Sequence, residues 1–325
     1  MKAKAGWGCL ALAIYLLGSS AHGQGPSSYP TRPVSLMVPS VAGGGTDVGA
    51  RILAAAAEKK MGQPLVVVNK PGAGTQVGFT ELSRQKPDGY YLGFVLLPAI
   101  NTIILDPERK AIFGVDSFVP IINQVVDAGL IWVRAESPYR NLKDLLDDAR
   151  KRPGEVKAST TGILSDDHLA ILMMEQAAGV KFRIVHFDGG PQQLTATLGG
   201  QVDVSFDNVG VINAKIKGGV VRGLAMMDRE RSKFLPEIPT TPELGFPTVI
   251  SSSTRGVMGP KGVPDSVVKK IQEVFLEAMN SPDHMEKMEK AALAVKPLVG
   301  EDYARYFRDM HERCKPLVEA VLKTR

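Results

Sequence analysis

The sequence is poor in cysteine and histidine, the residues that most often build metal sites and nucleophilic active sites. It has two cysteines and five histidines in 325 residues. The last two histidines, His284 and His311, fall on charged helical stretches, where we expect them to be solvated. No G-x-S-x-G, H-E-x-x-H or paired-cysteine motif is present. These absences argue against a metal site and against an enzyme with a nucleophile and its base.

Basic clusters and long apolar runs are also scarce. Lys and Arg number 39 against 34 Asp and Glu, a net charge of +5, without any run of basic residues. That pattern disfavours nucleic-acid binding. Beyond the N-terminus no stretch approaches the roughly 18 apolar residues that a membrane span needs. We therefore expect the mature chain to be soluble.

The N-terminus has the composition of a secretory signal peptide. A basic start at residues 1–4 precedes an apolar run at 8–17, and small residues follow up to Gly23. The pattern predicts cleavage after Gly23 and export to the periplasm, with a buried first helix as the alternative. Cys9 lies inside the apolar run, so no lipid anchor is indicated. Cleavage would leave Cys314 alone, and no intrachain disulfide could form.

Strand-like and helix-like segments alternate through the rest of the chain. One β-α-β-α-β series occupies residues 34–97, and a second α/β series begins after Phe118. This order predicts parallel sheets with helices on both faces. Residues 119–126 and 130–133 form two apolar runs, and a proline-containing, loop-rich stretch begins at Met227.

Residues 39–47 (PSVAGGGTD) form the first loop that follows a strand and precedes a helix. Its glycines let backbone N–H groups approach a ligand, and the helix presents its positive end there. The alternative is a tight turn with Thr46 or Asp47 as the helix cap. The spacing fits neither G-x-G-x-x-G nor a P-loop, which leaves a small anion as the ligand.

Three later loops also follow predicted strands. In residues 159–168 (STTGILSDDH), hydroxyl groups could donate to a carboxylate, whereas Asp166 and Asp167 are better explained as helix-start residues. His168 could contact the ligand or fix the loop. The loops at 186–191 and 206–209 also contain polar and glycine residues, which turns alone would explain.

At these loops the sequence resembles the periplasmic solute receptors of the tripartite tricarboxylate transporter family, also called the Bordetella uptake gene family. The resemblance runs nearly the full mature length. It rests on YPTRPV at 29–34, GGGTD at 43–47, VVVNKPGAG at 66–74, PDGY at 87–90, HLA at 168–170, GGQVDV at 199–204 and FDN at 206–208.

The resemblance implies an α/β, type II periplasmic binding protein fold, with two α/β lobes, a hinge and an interlobe cleft. Lobe 1 is expected at 30–126 plus 227–325 and lobe 2 at 127–226, after a signal peptide at 1–23. The family's ligand carboxylate is held by backbone amides, hydroxyls and waters from two loops, which correspond here to 39–47 and 159–168. The candidate ligand-binding residues are Ser40, Gly44, Gly45, Thr46, Asp47, Thr160, Thr161, Gly162, His168, Phe187, Gly189, Asp207, Asn208 and Arg255.

Several positions depart from the family pattern. Ser40 stands where an aromatic is common, Asp166 and Asp167 replace serine-rich residues, and Thr254-Arg255 replaces an aromatic pair before Gly256. Arg255 could read a second carboxylate of the solute. Alternatively it is a surface or hinge arginine paired with an acidic residue.

The expected function is capture of a small organic carboxylate (a di- or tricarboxylate or an aromatic carboxylate) for the permease subunits of a tripartite tricarboxylate-type transporter. The alternatives are a ligand-binding subunit for a membrane sensor kinase and an enzyme on a similar two-lobed fold. We expect a monomer that has no catalytic residues, no cofactor and no metal, and that binds no nucleic acid.

Overall fold

The computed structural model describes residues 29–323, so the predicted signal peptide at 1–23 lies outside the described residues. The strands are β1 (Val34–Val38), β2 (Leu65–Asn69), β3 (Tyr91–Leu97), β4 (Phe118–Arg134), β5 (Lys157–Thr160), β6 (Arg183–His186), β7 (Val204–Asn208), β8 (Val221–Met227), β9 (Ser252–Pro260) and β10 (Val295–Val299). The α-helices are α1 (Gly45–Met61), α2 (Gln76–Ser83), α3 (Ala99–Leu105), α4 (Leu142–Lys151), α5 (Asp166–Ala178), α6 (Gly190–Leu198), α7 (Val209–Lys217), α8 (Asp265–Met279), α9 (Pro282–Lys290) and α10 (Glu301–Leu322). No helix within residues 29–323 has the length and apolar character needed to cross a bilayer.

The first sheet has the order β2-β1-β3-β9-β4, with β10 also paired to β4. Strands β1 to β3 are parallel, and β9 and β4 run antiparallel to their neighbours. Successive side chains of a strand point to opposite faces. Leu36 accordingly packs in a core with α1 and α8, while Met37 packs with α2, α3 and α10 on the other face.

A single strand of 17 residues, β4, passes from the first sheet into the second. Residues 118–128 pair with β9, and residues 129–134 pair with β8. The sequence pattern predicted two separate runs, because Asp127 and Gly129 interrupt the apolar stretch. The strand continues through both, since Asp127 has a buried ionic partner and Gly129 allows close packing. A Cβ at Gly129 would lie 2.7 Å from Met227 Cε and 3.0 Å from the Ser251 carbonyl oxygen.

The second sheet has the order β4-β7-β5-β6, with β8 also paired to β4. Strands β7, β5 and β6 are parallel to one another. Helices α4 and α5 pack in a core on one face, and α7 packs around Trp132 in a core on the other. The alternation of strands and helices predicted from the sequence therefore produces two sheets covered on both faces.

Residues 228–251 pack on the second sheet, although we had expected everything from 227 onward in the first lobe. Phe234, Leu235 and Ile238 join the apolar core that contains Trp132, and Val249 joins the core on the opposite face. These apolar side chains hold an irregular segment against the second sheet before the chain returns at β9. The return between the sheets thus lies near residue 252.

His284 is fully buried, which contradicts the expectation that it is solvated. Its Nε2 lies 2.9 Å from Gln124 Nε2, and burial lowers the pKa of the imidazole. His284 belongs to the first turn of α9, whose N-cap Ser281 accepts a hydrogen bond from its backbone N–H. Most residues of α9 are charged, so its composition did not reveal that the face with His284 and Met288 is buried against β4.

The two strands that connect the sheets lie side by side. In the register of β4 with β9, Asp127 pairs with Ser253 and Ala128 with Ser252. The chain therefore passes between the sheets twice within one antiparallel ribbon formed by β4 and β9. A cleft lies beside this ribbon, between the two sheets. This ribbon is the element about which the two sheets could move relative to each other.

Candidate ligand-binding cleft

A cleft of about 1040 Å³ lies between the two sheets. Its walls are the loops that follow β1, β2, β5, β6 and β7, together with residues of α3 and β9. These five strands present their carboxyl ends to the cleft, which is where open α/β sheets bind ligands. A cavity of this size is at the upper end of the range found for small-molecule sites.

The N-termini of α1, α5, α6 and α7 converge on this cleft. Gly45, Asp166, Gly190 and Gly210 belong to the first turns of these helices and line its wall. The first backbone N–H groups of a helix have no acceptor within the helix, and the helix dipole places partial positive charge there. Helix ends arranged in this way favour an anionic group in the cleft.

Asp47 holds the first loop from behind the cleft wall. Its Oδ2 accepts hydrogen bonds from the Gly43 N–H at 2.9 Å and from Arg51 Nε at 3.0 Å. Asn69 Nδ2 donates to Asp47 Oδ1 at 2.9 Å and to the Ser40 carbonyl oxygen at 3.0 Å. Although burial alone would raise it, these hydrogen bonds keep the pKa of Asp47 below its ordinary value. Helix α1 begins at Gly45 with Gly44 as N-cap, so neither Thr46 nor Asp47 caps it.

Asp167 has the same function in the second loop. Its Oδ2 accepts from the N–H of Thr161 at 3.0 Å and from the Thr161 hydroxyl at 2.7 Å. The Thr160 hydroxyl lies 2.7 Å from His186 Nδ1, and His168 Nδ1 accepts from the Leu164 N–H at 2.9 Å. The two threonine hydroxyls that we expected to bind a ligand are therefore engaged within the protein.

The structure gathers most of the predicted site residues at one surface. Those that line the cleft are Ser40, Gly44, Gly45, Thr46, Thr161, Gly162, Phe187, Gly189, Asp207, Asn208 and Arg255. Asp47, Thr160 and His168 lie behind that surface, and each is 6 % exposed or less. Their hydrogen bonds shape the loops whose other residues face the cleft.

Arg255 lies at the floor of the cleft and is 2 % exposed. Its Nη2 donates to Asp127 Oδ2 at 3.0 Å, while Nε and Nη1 have no hydrogen-bond partner among the described residues. Nη1 lies directly beneath the first loop, because a Cβ built on Gly45 would be 3.2 Å from it. Arg255 is thus a buried arginine paired with an aspartate, and it also belongs to the cleft wall.

Burial raises the pKa values of the acidic side chains around Arg255. It is the largest cause for Asp127, Asp166, Asp167 and Asp207. The pKa of Asp207 rises to about 8, because repulsion from Asp166 and Asp127 adds to its burial. The Asn208 N–H and the charge of Arg255 offset only part of this rise. Within residues 29–323, no three acidic, histidine or cysteine side chains are arranged to hold a metal ion.

Sequence reasoning missed part of the cleft wall. The loop 71–75, which follows β2, lines the cleft together with Arg109, Gln192 and Lys215. Arg109 Nη1 donates to the Ala73 carbonyl oxygen at 2.8 Å, and Gln76 Nε2 donates to the Arg109 carbonyl oxygen at 2.8 Å. The Pro-Gly-Ala-Gly turn after β2 carried the same signal as the glycines after β1, namely flexible backbone at a strand end.

Asp166 was expected to be a helix-start residue, and it is the first residue of α5. It also lines the cleft, and its Oδ2 accepts from Asn208 Nδ2 at 3.0 Å. Asn208 Nδ2 further contacts the Asp127 carbonyl oxygen at 3.3 Å. A chain of contacts therefore connects the start of α5, the end of β7 and the crossing strand β4.

Comparison with known proteins agrees with this geometry. BugT of Bordetella pertussis is 30% identical over 284 residues, which is 84% of this chain and 83% of BugT. The structure of the periplasmic binding protein BugD superposes with a TM-score of 0.79 at 28% identity, covering 91% of this chain and 98% of BugD. An adipate-bound protein of R. palustris gives a TM-score of 0.84 at 25% identity, covering 90% of this chain and 97% of that one.

These likenesses confirm the expected two-lobed periplasmic binding protein fold. Proteins of this family are periplasmic receptors, and the structural neighbours are binding proteins. The sequence model of the family described as "Tripartite tricarboxylate transporter family receptor" matches residues 49–322 of this chain. This chain therefore belongs to the tripartite tricarboxylate transporter receptor family.

Proposed function

We propose that this protein captures a small organic carboxylate in the periplasm and delivers it to the membrane subunits of a tripartite tricarboxylate-type transporter. The observation that carries the proposal is the convergence of four helix N-termini on one cleft between two sheets. Backbone N–H groups fixed in this way stabilise an anion without requiring a dedicated lysine or arginine at the surface.

The carboxylate is received at the first loop. Gly44, Gly45 and Thr46 line the cleft at the start of α1, and the absence of a Cβ on the two glycines leaves their backbone open to the solute. The adipate-bound relative supports a carboxylate as the ligand, because its fold matches over 90% of this chain. Gly162 and Phe187 complete the opposite wall.

Capture requires the two lobes to close. The sheets are connected by β4 and β9, which are paired side by side where they cross. A hinge of this kind permits rigid-body closure, and a ligand that contacts both walls shifts the population towards the closed form. The closed receptor is the form that the membrane subunits would recognise. We propose that the receptor acts as a monomer.

Export follows from the N-terminal sequence. The basic start, the apolar run and the small residues before Gln24 fit a signal peptide that is cleaved after Gly23. Cleavage would release the receptor into the periplasm, where the solute is captured.

The contact between the Thr160 hydroxyl and the His186 imidazole resembles a catalytic pair, but the burial of the hydroxyl favours a binding role over catalysis. Thr160 Oγ1 lies 2.7 Å from His186 Nδ1, a distance suited to a nucleophile and its base. Thr160 is fully buried, however, and its hydroxyl also donates to the Gly162 carbonyl oxygen at 3.2 Å. The hydroxyl therefore braces the loop and faces away from the solute.

A thermal-shift screen of the mature protein tests the proposal. The panel contains dicarboxylates, tricarboxylates, aromatic acids and amino acids, and calorimetry follows for each compound that raises the melting temperature. We expect at least one carboxylate to bind, and uptake of that compound to be lost in cells that lack the gene. Binding without any effect on uptake would contradict the role in transport, and turnover of a bound ester or amide would contradict the binding role.

A further inference from the structure

The cleft floor beside Arg255 contains more carboxyl groups than cationic groups. Arg255 and Asp127 form a buried ion pair at 3.0 Å. The other Asp127 oxygen, Oδ1, accepts from the Gly210 N–H at 3.0 Å. This pair is therefore balanced within itself, and within residues 29–323 neither Asp166 nor Asp207 forms a salt bridge of its own.

Asp166 and Asp207 differ from the aspartates that brace the loops. Each bracing residue, Asp47 or Asp167, accepts hydrogen bonds from a loop N–H and from a neighbouring side chain, and neither lines the cleft. Asp166 and Asp207 both line the cleft. Asp207 Oδ1 accepts only the N–H of the next residue at 2.8 Å, and Oδ2 has no partner among the described residues.

Burial makes this arrangement costly for the ionised forms. Asp207 is 1 % exposed, and Arg255 is the cation that lowers the pKa values of Asp166 and Asp207. A buried charged acceptor that lacks hydrogen-bond donors loses much of its solvation without compensation. A donor that also carries positive charge, brought in by the solute, would satisfy both carboxylates at once.

We propose that the solute carries a protonated nitrogen in addition to its carboxylate, and that Asp166 and Asp207 receive this nitrogen. This inference rests on the proposed function and deepens it, because it restricts the solute to a small amino-carboxylate. The carboxylate lies on the side of Gly45 and Arg255, where helix α1 begins and where Arg255 Nη1 has no partner among residues 29–323. The ammonium lies on the side of α5 and β7, where the full negative charges of ionised Asp166 and Asp207 exceed the partial positive charges of the α5 and α7 N-termini.

The experiment compares compounds that share a carbon skeleton. Alanine is matched with propionate, leucine with isocaproate and glutamate with glutarate, and ethylamine and isopentylamine provide the nitrogen without the carboxylate. Calorimetry measures each dissociation constant for the wild-type protein and for Asp166→Asn and Asp207→Asn. Asparagine keeps the size of the side chain and one acceptor oxygen. That oxygen can take the place of Asp166 Oδ2 or Asp207 Oδ1 in the hydrogen bond that each native residue accepts.

Asp228→Asn is the matched control. Asp228 Oδ1 also accepts the N–H of the next residue, at 2.6 Å, and Asp228 lies outside the cleft. The Asp228→Asn protein should bind each compound with the same dissociation constant as the wild type. For the cleft variants we expect the preference for the bound amino acid over its matched acid to fall about ten-fold or more, since a hydrogen bond to a charged group is lost.

The outcomes separate this inference from the proposed function. Tight binding of an amino acid, with a preference over the matched acid that Asp207→Asn abolishes, supports both. Equal or tighter binding of the acid that lacks the amino group overturns the protonated nitrogen and leaves carboxylate capture intact. Binding of the amines as tightly as the amino acids supports the aspartate site and contradicts carboxylate capture. Failure of every compound to bind counts against both.

Discussion

Arg255 Nη2 lies 3.0 Å from Asp127 Oδ2, and this buried pair joins the two strands by which the chain crosses between its sheets. Removing one member of a buried pair leaves the other charged and unpaired, at a cost of about 3–5 kcal/mol. We expect Arg255→Met to lower the free energy of unfolding by about that amount, measured by urea denaturation. Arg255→Met combined with Asp127→Leu should recover part of the loss.

The surface pair between Arg305 and Asp302 provides the control, because both side chains are more than half exposed. Exposed pairs of this kind contribute about 0–1 kcal/mol, so Arg305→Met should change the unfolding free energy little. If Arg255→Met were as mild as Arg305→Met, the pair at the crossing would not stabilise the fold.

Gly45 controls the space above Arg255. Alanine is allowed by the backbone of α1, but its Cβ would lie 3.2 Å from Arg255 Nη1 and 3.6 Å from Nη2. We expect Gly45→Ala to displace the guanidinium and to weaken solute binding by about ten-fold, as loss of one charged hydrogen bond would. Calorimetry with the identified solute measures the effect. Gly114→Ala, where nothing lies within 4 Å of the new Cβ, should bind normally.

Much of this site could be predicted from the sequence, because strand ends are visible as the limits of apolar runs. The loops at 39–47 and 159–168 were located in this way, and both line the cleft through residues such as Gly45 and Thr161. An acidic partner for Arg255 was one of the two alternatives, but Asp127 could not be identified as that partner, since the two residues are 128 positions apart. The burial of His284 was missed for a similar reason, because the charged face of α9 dominates its composition.

Thr161 should affect stability through Asp167. Its hydroxyl donates to Asp167 Oδ2 at 2.7 Å, and Asp167 is 2 % exposed. We expect Thr161→Ala to lower the unfolding free energy by about 1–3 kcal/mol, the usual cost of leaving a buried acceptor without its hydrogen bond. Thr161→Ser, which keeps the hydroxyl, should restore most of it. A Thr161→Ala protein as stable as the wild type would show that this hydroxyl does not hold the loop.

Deprotonation of Asp207 should make the ligand-free protein less stable to unfolding as the pH rises towards neutrality. For Asp207 the folded-state pKa of about 8 lies above the ordinary value of 3.8, so between these values the folded protein binds more protons than the unfolded chain. The stability that the neutral carboxyl contributes is therefore fully present below the unfolded-state pKa of 3.8. It is lost as the pH rises through the folded-state pKa of about 8. We expect the melting temperature of the ligand-free wild-type protein to decrease between pH 5 and pH 8. The decrease should be smaller in Asp207→Asn. Asp228→Asn should keep the wild-type slope.

Proton release on binding distinguishes a solute ammonium from a second solute carboxylate at Asp207. The charged groups that face Asp207 or its neighbours are Asp127, Asp166, Asp167 and Arg255. An ammonium placed there lowers the pKa of Asp207 from about 8, so protons leave the protein and the affinity rises with pH across the neutral range. A carboxylate would raise that pKa instead, so protons would be taken up and the affinity would fall. Calorimetry at pH 7 in two buffers with different ionisation enthalpies measures the number of protons directly. We expect net release with the identified amino-carboxylate and much less release in Asp207→Asn, whereas net uptake would place a second carboxylate, and not a nitrogen, beside this residue.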